Sequence, residues 1–250
     1  MTFRAAGRLC WFAWEAGVII LNYFLTAARA PKDKQRLERA AWLSRSSRRH
    51  LKIFGYSANV AGDIPKHGLL ISNHLSYLDI LAISAVTPAV FVSKAEVRRW
   101  PLFGWFAALS GTVFVDRQRR THVGEVNREI EAALAAGALV VLFPEGTSTN
   151  GETVLPFRTS LLEPAARGHH EIAVGWIHYE LPAGDGDARN EVCYWGDHTF
   201  FPHALNLFGK KAVRATLRFG KFRRTTDDRK ELAKQLRTAV AELKDGRGQR

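Results

Sequence analysis

The stretch "ISNHLSYLDILAIS", residues 71–84, decides how the chain is read. Ser76-x-x-Asp79 stands ahead of an apolar run, the pattern of a helix N-cap that satisfies free backbone N–H groups. His74 also stands five residues before Asp79. On one continuous helix, residues five apart diverge by about 140°, so an imidazole–carboxylate pair needs a break between them. A strand ending near Asn73, a cap at Ser76 and a helix from residue 77 supply that break. Asp79, at the third helical position, then reaches back toward His74. The carboxylate of such a pair takes one imidazole N–H, fixes the tautomer and leaves the other nitrogen free as a base.

Outward from this stretch the pattern alternates. "GLLISN" (68–73), "VFVSK" (90–94), "GTVFVDR" (111–117), "ALVVLF" (138–143) and "EIAVGWIHYE" (171–180) read as mostly buried strands. Helical stretches at 77–86, about 100–108 and 120–136 lie between them, the last ending at a C-capping Gly137. "LPAGDGDARN" (181–190) reads as a polar turn region, "VRATLRFGK" (213–221) as a late strand, and 227–244 as a terminal amphipathic helix. Strands alternating with helices predict an α/β domain whose functional residues occupy the loops after strands.

Charge is divided along the chain. Residues 1–56 carry 11 Lys/Arg against 3 Asp/Glu and residues 209–250 carry 14 against 5, whereas residues 57–208 carry 11 against 16. The flanks therefore meet a polyanion, either nucleic acid or an anionic membrane. "LCWFAWEAGVIILNYFLTAA" (9–28), with Glu15 its one charge, favours the membrane. As a helix it is about 30 Å long, and Trp11, Trp14 and Tyr23 suit an interfacial belt. Next, Leu37, Ala40, Ala41, Ser44, Leu51 and Phe54 recur at helical spacing among arginines, a basic amphipathic pattern of the kind that rests on anionic lipid. Residues 1–55 are thus expected as membrane-associated helices and 56–250 as the α/β domain. Ala28-Arg29-Ala30 has the form of a signal-peptide cleavage site, but Glu15 inside the apolar run argues against one. Two cysteines, Cys10 and Cys193, build no disulfide framework, and no Cys/His cluster has zinc spacing. No nucleotide or dinucleotide fingerprint, nucleophile elbow or nucleic-acid-binding motif is present.

Two further strand ends carry candidate residues. "VVLFPEGTSTNG" (140–151) stops a buried strand at Pro144 and turns through Glu145, Gly146 and Thr147. "GTVFVDR" leaves Arg117 at another strand end, where a guanidinium clamps a phosphate or pairs with a carboxylate such as Asp116. Arg158 in "LPFRTS" and Lys94 in "SKAE" are further basic candidates.

Together, "NHLSYLD", "FVSKAEVRRWPLFGWFAALSGTVFVDR" and "FPEGTSTNGETVLPFR" resemble three successive blocks of the glycerolipid acyltransferase superfamily, in particular bacterial 1-acyl-glycerol-3-phosphate acyltransferases. The resemblance covers about residues 60–180. It implies His74 as catalytic base and Asp79 as its orienting partner. It implies a second block of Gly111, Phe114 and Arg117, with Arg117 on the acceptor's phosphate, and an acceptor-binding third block containing Glu145 and Gly146. The implied fold is a single α/β acyltransferase domain, a mainly buried sheet flanked by helices, preceded by a membrane-embedded helical pair. The implied reaction moves a fatty acyl chain from acyl-CoA or acyl carrier protein to a lysolipid hydroxyl, with the lysophospholipid lysophosphatidic acid first; another lysolipid such as a lyso-ornithine lipid, or a non-catalytic lipid-binding role, is the alternative. It needs no cofactor or metal and takes place at the cytoplasmic face of the inner membrane. The family's fourth block is an apolar strand with a proline; Gly175-Trp176 stands there instead.

Overall fold

The computed structural model describes residues 3–100, 103–116 and 120–246. Its centre is a seven-stranded sheet. The strands are β1 (Tyr56–Ala61), β2 (Gly68–Ser72), β3 (Val90–Lys94), β4 (Val113–Val115), β5 (Leu139–Leu142), β6 (Ile172–Glu180) and β7 (Val213–Phe222). They lie in the order β1-β7-β6-β2-β5-β3-β4. From β6 to β4 all pairs are parallel; β7 runs antiparallel to β6, and β1 runs parallel to β7. β2 and β5 sit centrally and are buried along their whole length, which is why they read as unbroken apolar runs rather than alternating ones. β1 escaped the sequence reading for the converse reason. It is an edge strand whose "YSANVA" has no buried residue and carries no apolar period.

The helices are α1 (Phe3–Leu25), α2 (Gln35–Ile53), α3 (Leu78–Val86), α4 (Phe103–Leu109), α5 (Arg120–Ala135), α6 (Glu163–Arg167), α7 (Ala188–Glu191), α8 (Phe200–Gly209) and α9 (Arg229–Lys244). Successive side chains of a strand point to opposite faces. Leu70 and Val141 face a core built with α1, α2, α3 and α8. Leu69, Ile71, Val140 and Leu142 face a second core under α5, α6 and α9. Asp228 caps α9 by accepting from the Lys230 and Glu231 N–H groups. Gly137, at φ 79°, ends the α5 segment as predicted.

The N-terminal segment departs from expectation in one respect. Ala40, Ser44, Leu51 and Phe54 of the α2 pattern are buried in protein, not turned to lipid; Leu37 stays exposed. The physical reason is that a 3.6-residue apolar period names a buried face without naming what buries it. Here the first core does. Trp42, fully buried, donates its indole N–H to the Ile19 carbonyl at 2.9 Å and so staples α2 to α1. Arg49 of α2 binds Glu15 at 2.6 Å, neutralising the one charge in the apolar run. Only 22% of the most apolar stretch of α1 is buried. Trp14, Leu21 and Phe24 are 70%, 61% and 56% exposed, an apolar face that the protein leaves uncovered.

His50 lies between the rings of Phe12 and Phe106. Burial lowers its pKa from 6.5 to about 4. The unfolded chain therefore takes up the proton first as pH falls. The stability linked to His50 is whole above pH 6.5 and drains away as pH falls toward about 4. Between those limits wild-type protein should lose about 3 kcal/mol relative to His50→Phe, at about 1.4 kcal/mol per pH unit, when urea unfolding of the two is compared across the range.

Candidate active site

β2 ends at Ser72, and the next two residues take up posts at its C-terminal end. Asn73 continues the ladder with its side chain, accepting the Ile177 N–H at 2.8 Å and donating to the Ile177 carbonyl at 3.0 Å. His74 follows, its Nδ1 2.7 Å from Asp79 Oδ2. An ionised carboxylate only accepts, so Nδ1 carries the proton and Nε2 is the free nitrogen. The imidazole stacks on Phe143, centroids 4.2 Å apart and planes 14° from parallel. Ring plane and tautomer are both held.

The cap is built differently from the expectation. α3 starts at Leu78 after Tyr77, and the buried Ser76 hydroxyl has no partner among the described residues. Asp79 does the capping instead. Its Oδ2 accepts from the Leu75 N–H at 2.7 Å and the Ser76 N–H at 3.0 Å. This works like the reverse half of a capping box, a first-turn side chain reaching back to the N–H groups that precede the helix. A carboxylate accepts several donors at once where a serine hydroxyl satisfies one, and the Asp79 oxygens thereby serve helix and imidazole together. Oδ1 accepts from the Tyr179 hydroxyl at 2.8 Å. Burial, with Asp79 alongside, holds the Tyr179 phenol well above its usual range, so it stays a donor.

The second loop closes on the first. Glu145 is buried, with Oε1 accepting from the His74 N–H at 2.8 Å and Oε2 from the Leu155 N–H at 2.9 Å. Burial raises its pKa, against the pull of those two amides. The Thr149 N–H returns a bond to the His74 carbonyl at 2.9 Å. Gly146 turns the chain at φ 74°, in the left-handed region that glycine tolerates. Thr147 and Arg158 are exposed; the Arg158 N–H binds the Pro144 carbonyl at 2.8 Å. Gly111 and Phe114 line a groove at β4 whose lining does not include His74, with Arg98 over the Phe114 ring. Lys94 closes β3, and Arg117 lies outside the described residues. At the fourth block, a Cβ on Gly175 would meet Leu70 Cδ1 at 3.1 Å, so the Leu70 side chain would have to give by a few tenths of an ångström to admit one. Among the described residues no group of three or more His, Cys, Asp and Glu side chains is placed to hold a metal.

Sequence reasoning missed Tyr179, Asn73 and Phe143. Asn73 stood inside the opening stretch, where a buried amide at a strand end was the available clue. A tyrosine a hundred residues from Asp79 offered none.

Residues 58–174 match a protein-family model described as Acyltransferase. A lyso-ornithine lipid O-acyltransferase of Brucella abortus (strain 2308) is 37% identical over 206 residues, covering 77% of this chain and 77% of that protein. The chain belongs to the acyltransferase family. A 1-acyl-sn-glycerol-3-phosphate acyltransferase of Neisseria gonorrhoeae is 36% identical over 129 residues, covering 52% of this chain and 51% of its own. The crystal structure of the 1-acyl-sn-glycerophosphate acyltransferase PlsC from Thermotoga maritima shares the fold. Its TM-score is 0.56 at 20% identity, over 91% of this chain and 88% of that one. An acyltransferase of this glycerolipid family brings an acyl donor and a lysolipid acceptor together.

Glu145→Ala would strand the His74 and Leu155 amides, each costing about 1–3 kcal/mol if left unsatisfied. The variant should unfold at lower urea and lose turnover as the His74 backbone drifts. Asp79→Asn replaces an acceptor of four donors by an amide with one carbonyl oxygen, and should lower kcat by at least about 100-fold. Steady-state kinetics on folded protein check this.

Proposed function

We propose that this chain transfers a fatty acyl group from an acyl thioester, acyl-CoA or acyl carrier protein, to the free hydroxyl of a lyso-ornithine lipid. His74 is the general base and Asp79 its orienting partner. The observation that carries the chemistry is the 2.7 Å contact between His74 Nδ1 and a carboxylate already anchored by three other donors. With Nδ1 committed, Nε2 takes the proton of the acceptor hydroxyl as its oxygen attacks the thioester carbonyl. Asp79 stabilises the imidazolium that forms. The tetrahedral intermediate collapses, the C–S bond breaks, and the leaving thiolate receives the proton. A thioester is already activated, so no acyl-enzyme is required.

The acceptor is argued from likeness. The lyso-ornithine relative matches over three quarters of both chains, the phosphate-bearing relative over about half. Lysophosphatidic acid, the first choice from sequence, becomes the second reading, supported by that shorter match. Both acceptors offered to purified protein with acyl-CoA and acyl carrier protein donors separate the two. We expect the lyso-ornithine lipid to be acylated with a kcat/KM at least about 10-fold above that for lysophosphatidic acid. The reverse ratio promotes the phosphate acceptor. Folded His74→Ala protein should be inactive, and wild-type turnover by it would sink the mechanism.

The lipid substrates place the site at a membrane surface, and the uncovered face of α1 is the docking element. Removing residues 1–54 would take Trp42 and Ile53 out of the core, so deletion tests folding rather than docking. Trp14→Glu with Leu21→Glu, both on the exposed face, should leave the unfolding midpoint in place and release the protein from anionic vesicles in a sedimentation assay.

A further inference from the structure

The two oxygens of Asp79 are served unequally. Oδ2 takes three donors from nearby in the chain, His74 Nδ1 and the Leu75 and Ser76 amides. Among the described residues Oδ1 takes one, the Tyr179 hydroxyl at 2.8 Å, from a strand 100 residues on. That hydroxyl is placed by packing and by register. Tyr179 is 2% exposed, inside the core that α1, α2, α3 and α8 build on one face of the sheet. Its backbone pairs with Ala215 of β7. Two residues earlier, on the same face of β6, Ile177 is bolted to the loop after β2 by both bonds of the Asn73 amide, at 2.8 and 3.0 Å. Asn73 thus sets the register of β6 against that loop, and the register delivers the phenol to Oδ1.

The surroundings make that single donor count. The titratable groups facing Asp79 are His74 on its own loop, Glu145 from the loop after β5, Tyr179 from β6, Tyr56 from β1 and Cys193 from the turn after α7. Burial pushes the Cys193 thiol up to about 12 and holds the Tyr56 and Tyr179 phenols above their usual range, so all three stay uncharged. In so poorly solvated a setting one O–H donated to a carboxylate is felt more strongly than in water. Tyr56 offers the comparison, since its buried hydroxyl has no partner among the described residues. The Tyr179 bond does two things for the pair. It fixes the carboxylate plane, because donors gathered on Oδ2 alone leave the group free to swing about that atom. It also draws charge toward Oδ1 and opposes a proton there. A carboxyl protonated on Oδ1 still accepts through Oδ2 but no longer stabilises an imidazolium.

We propose that Tyr179 is a positioning residue for acyl transfer: its hydroxyl, delivered by the Asn73–Ile177 register, locks the Asp79 carboxylate behind His74 and holds its charge there. The inference rests on the general-base reading above. Its test compares the full chain as wild type, Tyr179→Phe, Tyr56→Phe and protein with 3-fluorotyrosine in place of Tyr179. Each is measured for unfolding midpoint, kcat, both KM values and the pH profile of kcat/KM, with acyl-CoA and the better lysolipid acceptor. Without the O–H the pair keeps its proton to higher pH, whichever member binds it. The acid limb of Tyr179→Phe should therefore move up by about one pH unit, a tenfold change in proton affinity or about 1.4 kcal/mol. Its plateau kcat should fall by about 10-fold while both KM values stay in place, because the bond orients the base and touches no substrate. Fluorine beside the hydroxyl makes a stronger donor of nearly the same shape, and should move the limb to lower pH. Tyr56→Phe removes a hydroxyl without a partner and should keep the wild-type limb. A folded Tyr179→Phe protein with a lowered midpoint but the wild-type limb and kcat would leave the bond a merely structural one and overturn the proposal. An equal limb shift in Tyr56→Phe would overturn it too, since any lost phenol would then serve. Should Tyr179→Phe not fold, an unmoved or upward limb in the fluorinated protein overturns it alone. Wild-type turnover by folded His74→Ala protein would instead strike the general-base reading.

Discussion

A carboxylate sealed from solvent at the end of β2 is the constraint on which the site depends. Taking an ionised carboxylate out of water costs several kcal/mol unless every lone pair finds a donor. Asp79 meets that demand with the His74 imidazole, the Leu75 and Ser76 amides and the Tyr179 hydroxyl. The donors come from the loop after β2 and from β6, so the carboxylate can be buried only when sheet, loop and helix are all in place. The aim of the imidazole is therefore a by-product of solving a solvation problem. Nothing about His74 needs to be held by His74 itself.

Glu145 repeats the device one loop away. Its two oxygens bind the amides of His74 and Leu155 and tie the loop after β5 to the loop after β2. These strands are neighbours and run parallel, so both loops emerge at the same edge of the sheet, where open α/β sheets present their ligand-binding groups. Two buried acids thus do different work on one histidine. Asp79 orients the ring, and Glu145 positions the backbone that carries it.

The same arithmetic of charge runs through the N-terminal segment and the groove. Glu15 is tolerable inside an apolar helix because Arg49 reaches it from α2. α2 presents its apolar side to the sheet and begins with Arg36 and Arg39, which form no ion pair among the described residues. Its cationic start therefore stands at the rim of the fold, while its middle is core. One helix joins the packing problem to the charge problem.

Much of this was legible in the residues. The buried strands after residue 60, the helices between them and the meeting of His74 with Asp79 follow from apolar periodicity and from the break that a five-residue spacing demands. These are local rules, settled within a dozen residues. β1 was not legible because an exposed edge strand carries no apolar signal. The surface that buries α2, the failure of Ser76 to cap, the Tyr179 donor and the convergence of Lys32, Arg36, Arg39 and Arg98 at β4 were decided only by tertiary structure. Each depends on groups far apart in the chain competing for the same buried donors, acceptors and apolar surface. A sequence pattern states that a face or a polar atom must be satisfied; only the packed chain determines by what.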